Sequence, residues 1–483
     1  MTSPLERRLV DGSAWTTAAA LLALPTGVIT AGVLGRGLGP ADYGVLTLAG
    51  TTIALIEYGL KSVFARPSVK LVAETEDWPR VGGVLLRLGL AVYMAAALAL
   101  WLGSDGLAAG LGAPRLGGAL RVFSLELPLF ALAQAHHHLL IGRGRFRARA
   151  AAVGAYWMAR LLFVLAAAEL GLSLRAAAVA LIAATAVELA VCRWWVRPPL
   201  LGGFDADTRR GLARYAAALA PAEVAIRVLA SSDLLALSAL GVSAERIGVY
   251  AAASQLPLAV WVVGAPLSLL VLSSAARARR DGDEAAARAV GVRSIRLVLL
   301  AAPFALAIGG AAPALLTFVF GAPYAAPSAL VAPMLVGALA RLLILVALAL
   351  LAATSRPART AALALPLLPA AAAGYAALVP GLNLLGAALA SAAVSVGGAI
   401  VALVVVGRSL GVEVPWATLA RVMVIGTASY AAVAWRPVAA EWIALPLLGT
   451  AVLILGAYAL SGEWNVVAGA GLRPRFSAAV GRR

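Results

Sequence analysis

Apolar runs of about 20 residues recur along the whole chain, separated by short clusters of charges, glycines and prolines. A helix crossing the ~30 Å hydrocarbon core of a bilayer needs about 20 such residues. Cutting at the charges and turn residues predicts fourteen spanning helices, at roughly 12–35, 43–60, 81–103, 118–141, 150–170, 174–194, 213–240, 247–275, 294–319, 326–353, 360–379, 384–406, 416–435 and 441–461. Two runs are too long for one crossing. Thr360 to Gly407 carries no charge over 48 residues. As one helix it would be about 70 Å long at ~1.5 Å per residue, so Pro380-Gly381-Leu382-Asn383 is predicted to turn it. Leu297 to Ala340 is also uncharged and is predicted to break at Gly321-Ala322-Pro323-Tyr324.

The pattern starts again near the middle of the chain. Leu38-Gly39 matches Leu240-Gly241, and Gly44-Val45 matches Gly248-Val249, although the spacing between the two pairs differs by two residues. Weak internal repeats of this kind accompany two helical bundles flanking a site near the membrane midplane. The fold class expected is therefore an all-α polytopic membrane protein with two pseudo-symmetric six-helix lobes around a central cavity. Residues 1–200 would form the N-terminal lobe (helices 1–6) and 201–410 the C-terminal lobe (helices 7–12). Residues 411–483 would hold helices 13–14 and a cytoplasmic tail.

Composition agrees. The chain has 483 residues, is 62% hydrophobic with mean hydropathy +0.94, and is only 13% charged, against about 25% in soluble domains. Cys192 is the sole cysteine, which excludes an intrachain disulfide and a cysteine metal site. The first apolar run is long enough to span and lacks the small-residue cleavage signal of a secretory leader.

The net charge of +17 would suggest nucleic acid if it were spread evenly. It is not. With the N-terminus inside, the inner segments hold 29 Arg and Lys, the outer turns 6, and the helices themselves 4. This split follows the positive-inside rule and places both termini in the cytoplasm. Inner acids number 12, so the inner side accounts for the whole excess. The basic balance then faces anionic lipid headgroups, and nucleic acid is excluded as a partner. No loop is long enough for a folded domain, so any chemistry belongs to the helix bundle or its mouths.

Four stretches carry a family resemblance: "GRGLGPADYGVLTLAGTTIALIEYGL" at 35–60 with "ARPSVKLVAE" at 65–74, "GRGRFRARAAAVGAYWMARLLFVLAA" at 142–167, "SSDLLALSALGVSAERIGVYAAAS" at 231–254, and "PALLTFVFGAPYAAPSALVAPMLV" at 313–336. Together they resemble the Wzx-type oligosaccharide flippases of the multidrug/oligosaccharidyl-lipid/polysaccharide exporter (MOP) superfamily. Leu-Gly-Pro-x-Asp-Tyr-Gly is the most characteristic piece, and beyond about residue 355 only the helix count agrees. The resemblance implies twelve or fourteen helices, an inner cavity between two lobes, and alternating-access movement of polyprenyl-diphosphate-linked sugars.

Charges inside a membrane are costly and mark cavities or partners. Glu223 and Arg227 lie four apart on predicted helix 7 and share a face. An arginine fork suits a diphosphate, but Glu223 could equally neutralise Arg227. Asp233 is either a cavity acid or a hydrogen-bonded acid that positions its helix. Arg160, Arg341 and Arg87 complete the cationic candidates, Arg87 being close enough to the inner surface to snorkel. Glu57, Glu126 and Glu188 are candidate charge partners or coupling groups, with Glu57 expected to be solvated at an inner helix end. His136-His137-His138 point about 100° apart on a helix and cannot all ligate one metal. Their place before the basic run Arg143 to Arg149 predicts a headgroup-level position. Most Trp and several Tyr residues fall near helix ends, as interfacial belts do.

These readings point to a non-enzymatic flippase for polyprenyl-diphosphate-linked oligosaccharide, serving cell-surface polysaccharide such as O-antigen. The expected protein is a multi-pass monomer of the plasma (inner) membrane whose partners are the lipid-linked oligosaccharide and membrane lipids. No cofactor is expected, and H+ or Na+ is left open as coupling ion. The alternatives are a cation-coupled multidrug antiporter of the same superfamily and a lipid II flippase. The uncharged stretch between Asp11 and Arg36 disfavours the antiporter. A membrane glycosyltransferase would need a long outer loop carrying acids, and no outer turn is long enough.

Overall fold

A computed structural model describes residues 4–199, 224–354, 358–435 and 440–464. The described residues form helices and turns, with no strand among them. In chain order the helices are α1 (Pro4–Glu74), α2 (Trp78–Gly110), α3 (Leu116–Phe123), α4 (Glu126–Gly142), α5 (Phe146–Glu169), α6 (Leu174–Trp195), α7 (224–239), α8 (Ala244–Ala253), α9 (Gln255–Arg280), α10 (Glu284–Leu300), α11 (Ala302–Gly310), α12 (Ala312–Phe320), α13 (Ser328–Ala352), α14 (Ala358–Ala364), α15 (Leu367–Leu410), α16 (Trp416–Ala434) and α17 (Ala444–Leu460).

Ten of the described helical stretches are long and apolar enough to cross a membrane. Two of them run over two expected crossings each: Leu22–Glu74 takes in the end of the first and all of the second, and Thr360–Leu410 contains the eleventh and twelfth. Both are broken inside: α1 at Gly39 (φ 73°) and α15 at Asn383 (φ 51°), the last residue of the expected Pro-Gly-Leu-Asn turn. Expected helix 7 is described from residue 224 onward, and expected helix 8 corresponds to α8 and α9. The expected break at 321–324 is present too, with Gly321 at φ 96° and a short 3-10 turn, Ala322–Tyr324, between α12 and α13. The protein is thus an all-α polytopic membrane protein.

Local chemistry sets several helix starts. Asp77, Ser173 and Asp283 accept from the backbone N–H groups of Arg80, Ala176 and Ala286 at 3.4, 3.2 and 2.8 Å, which satisfies donors that the first helical turn leaves unpaired.

The chain packs as two units: residues 1–255, 319–325 and 357–391 in the first, and 256–318, 326–356 and 392–483 in the second. In the first, α1 packs against α3, α4, α5 and α8, while α5 and α4 pack on α6. Its core includes Val72, Leu85, Leu139, Leu140, Ala148 and Cys192. In the second, α11 packs on α13 and α16, and Ala307, Ala311, Val433 and Ile443 close one core cluster. Glu463 also sits in this unit, fully buried. It accepts from Arg296 at 2.7 Å, and from Arg421 and Thr418 at 2.9 Å each, so the segment after α17 is tied to α10 and α16.

Candidate functional site

The first unit gathers most of the intramembrane charges. Glu57 and Lys61 lie one turn apart on α1, so their side chains share a face. Tyr93 of α2 donates to the Glu57 carbonyl oxygen at 3.0 Å, fixing that turn against α2. Glu126 opens α4 and accepts from the Thr185 hydroxyl of α6 at 3.0 Å. Glu188, a further turn along α6, meets His137 Nε2 at 2.8 Å. The charges of Glu126, Lys61, Glu188 and Arg227 all act on Glu57, and those of Arg160 and Glu188 act on Glu126. Residues from five helices therefore share one electrostatic neighbourhood.

Two arginines in this group rest on aromatic rings. The Arg227 guanidinium lies 3.9 Å from the centre of the Tyr58 ring. Arg160 lies 5.3 Å from the Trp157 ring and donates to the Tyr156 hydroxyl at 3.0 Å. Ring faces hold a cation without cancelling its charge. The buried Nε atoms of both arginines have no hydrogen-bond partner among the described residues, and neither arginine forms an ion pair there. Glu223, the candidate partner of Arg227, lies outside the described residues.

The other sequence candidates are placed as follows. Arg87 is half-buried on α2, with Nη1 near the position a Cβ on Gly83 would take. Asp233 on α7 accepts from the Tyr250 hydroxyl at 2.8 Å and from the Leu234 N–H at 2.9 Å. Arg341 belongs to the second unit, where it is 8% exposed and donates to Ser395 at 3.2 Å.

Two expectations need correction. Glu57 is not solvated at a helix end: it is 8% exposed, because α1 continues unbroken from Pro40 to Glu74 and other helices cover this turn. Its Oε1 has no partner among the described residues. The three histidines do not face outward either, being 1, 4 and 5% exposed. The helices packed around α4 cover them. His136 Nδ1 bonds the Leu132 carbonyl at 2.7 Å, and His137 pairs with Glu188. No group of three or more His, Cys, Asp or Glu is placed to hold a metal among the described residues.

Sequence reasoning missed Lys61, Arg149 and Tyr58 as members of this region. A cavity of about 400 Å3 is lined by Lys61, Lys70, Arg149, Gln134, His137 and His138 with apolar neighbours. The chain has only two lysines, and both line it. Ending the second expected span at residue 60 left Lys61 outside the membrane. The available signal was the Glu57/Lys61 spacing of four in an otherwise apolar stretch.

The sequence matches the family described as polysaccharide biosynthesis protein over residues 33–329. A comparison with curated proteins found no match. Solved structures with the same fold include the lipid II flippase MurJ in an inward closed conformation, at TM-score 0.73 and 12% identity, covering 96% of this chain and all of that one. A multidrug resistance MATE family transporter of the MOP superfamily in an inward-facing conformation matches at TM-score 0.68 and 13% identity, covering 81% and 98% of the two chains. A MOP superfamily transporter from Pyrococcus furiosus, described as having a binding pocket of reverse polarity, matches at 0.62 and 13%, covering 83% and 95%. These identities speak for the fold, and the sequence match for kinship: the chain belongs to the family of polysaccharide biosynthesis proteins.

Proposed function

We propose that the protein is a flippase carrying polyprenyl-diphosphate-linked oligosaccharide across the plasma membrane by alternating access between an N-terminal lobe (1–200) and a C-terminal lobe (201–410). The observation that carries the reading is the pair Arg160 and Arg227. Each is seated on an aromatic ring, with no carboxylate paired to it among the described residues. Planar guanidinium groups held this way keep their charge, and donors such as the unbonded Nε atoms, for a multiply charged anion such as a diphosphate. Membership of a polysaccharide biosynthesis family supports a glycan cargo, and the fold shared with transporters supports movement rather than catalysis. In this reading Arg341 and Arg87 serve the same anion at other stages, the termini face the cytoplasm, and the protein works as a monomer.

The test is glycan export in a host lacking its own oligosaccharide flippase. Arg227→Ala or Arg160→Ala abolishes export of the lipid-linked sugar while the protein still inserts, as judged by membrane fractionation. Unchanged export in both single variants and in the double variant removes these arginines from the grip. Restored drug resistance in a pump-deficient host, without glycan export, would favour the multidrug antiporter instead.

A further inference from the structure

The proposed grip uses Arg160 and Arg227, neither of which lines the cavity of about 400 Å3, and leaves that cavity without a role. That cavity lies wholly within the first unit, between the second half of α1, α4 and the start of α5. Its volume of about 400 Å3 falls in the range of small-ligand sites. Lys61, Lys70 and Arg149 bring three cations to its wall, and no acidic residue lines it. Lys70 stands at the exposed edge, where it reaches Glu74 at 3.9 Å.

The inner groups are less occupied. Lys61 makes no hydrogen bond or ion pair among the described residues; its nearest partner is the Tyr58 ring at 5.6 Å. Arg149 Nε is buried without a partner. His138, 5% exposed, also lines the cavity, and its buried Nε2 has no partner. A buried polar atom left unbonded costs free energy comparable to a lost hydrogen bond. Two such atoms, on Arg149 and His138, with the partly buried Lys61 ammonium beside them on the same wall, fit a ligand that bonds all three groups. The remaining wall is Ala65, Val69, Ala73 and Ile141, which suits an acyl or prenyl chain rather than a hydrated ion. A void of about 20 Å3, also lined by Lys61, Gln134 and His138, adjoins it and is large enough for one water.

We infer that this cavity binds the phosphate group of a lipid headgroup, held by Lys61 and Arg149 with His138 as an inner hydrogen-bonding partner and Lys70 at the entrance. The headgroup comes either from a polyprenyl diphosphate or from an anionic phospholipid of the bilayer. The inference does not depend on the transport reading, because it needs only the cavity and its unsatisfied groups.

The two lysines make the test direct. The purified full chain in detergent with phosphatidylcholine is treated with an amine-acetylating reagent, and labelling of Lys61, Lys70 and the N-terminus is followed by mass spectrometry. Added undecaprenyl diphosphate or phosphatidylglycerol, at about ten times its Kd, slows acetylation of Lys61 about tenfold by mass action while the N-terminus labels as before. Protection by undecaprenyl diphosphate alone assigns the site to the cargo lipid; equal protection by phosphatidylglycerol assigns it to the bilayer. Arg149→Gln weakens the protecting lipid about tenfold, the loss expected for one charge-assisted hydrogen bond. Lys61→Arg, scored by retained lipid in native mass spectrometry, keeps binding. Protection of Lys61 by neither lipid overturns the inference, and so does a Lys61 that fails to label in the lipid-free protein, since the cavity would then be closed to a headgroup. Both readouts use the wild-type chain, so a variant that fails to fold does not spare the inference. Loss of protection leaves the export test untouched, and loss of export leaves this one untouched.

Discussion

Gly44 and Gly248 meet backbone against backbone. A Cβ on Gly44 would overlap the Ala244 carbonyl oxygen, and a Cβ on Gly248 would overlap that of Pro40. Each glycine belongs to one copy of the internal repeat, and each copy is entered through a glycine in the left-handed region, Gly39 at φ 73° and Gly241 at φ 79°. The two copies of the motif are therefore one packing device, in which α1 and α8 cross within the first unit with no side chain between them.

Gly44→Ala and Gly248→Ala each force the two backbones apart and destabilise the fold by about 1–3 kcal/mol, the range for overpacking. Gly50→Ala, on the same helix with nothing within 4 Å of its added Cβ, is neutral or stabilises by up to about 1 kcal/mol through helix propensity. Thermal unfolding in detergent of the three variants checks the contrast.

Arg227 depends on Tyr58 for its seat. Tyr58→Phe keeps the ring face and retains transport, whereas Tyr58→Leu removes a cation–π contact of about 0.5–2 kcal/mol and lowers transport more than it lowers stability. A glycan-export assay read beside a melting curve separates the two effects.

The buried pair His137–Glu188 joins α4 to α6 at 2.8 Å. Glu188→Ala leaves the His137 ring without this partner and costs about 1–3 kcal/mol. Glu188→Gln keeps an acceptor at the same place and costs less. The ranking is read from thermal midpoints at fixed pH.

Glu463 gives the protein a pH-dependent contribution to stability. Burial pushes its carboxyl upward, but hydrogen bonds from Arg296, Thr418 and Arg421 outweigh this and hold it below the usual carboxylate range. The unfolded value is about 4.3. A depressed folded pKa means the stabilisation is complete above that value and is lost as pH falls through the folded one. Stability of the wild-type chain therefore drops below about pH 4, and Glu463→Gln flattens that part of the curve. Resistance to proteolysis between pH 7 and pH 3 checks both.

The spanning segments were readable because a bilayer imposes a length and a polarity on each crossing, and both are local properties. The break at Pro380 to Asn383 and the one at Gly321 to Tyr324 were readable for the same reason: turn chemistry is carried by adjacent residues. The burial of Glu57 was not readable. Its sequence neighbours suggest a helix end, while the structure carries α1 two more turns and beyond, to Glu74. His136 to His138 misled in the same way, since distance along the chain to a basic run does not say what packs around the preceding turn.

By itself the sequence determined an all-helical membrane protein and where its chain turns, and it singled out the few charges within the expected spans. Only the tertiary structure decided that Glu57, Lys61, Glu126, Arg160, Glu188 and Arg227 share one electrostatic neighbourhood, and that Arg227 falls in the first unit while Arg341 lies in the second. Hydrophobic periodicity fixes which stretches leave water. Convergence of charges from α1, α4, α5, α6 and α7 depends on how helices far apart in the chain pack, and no local pattern records that.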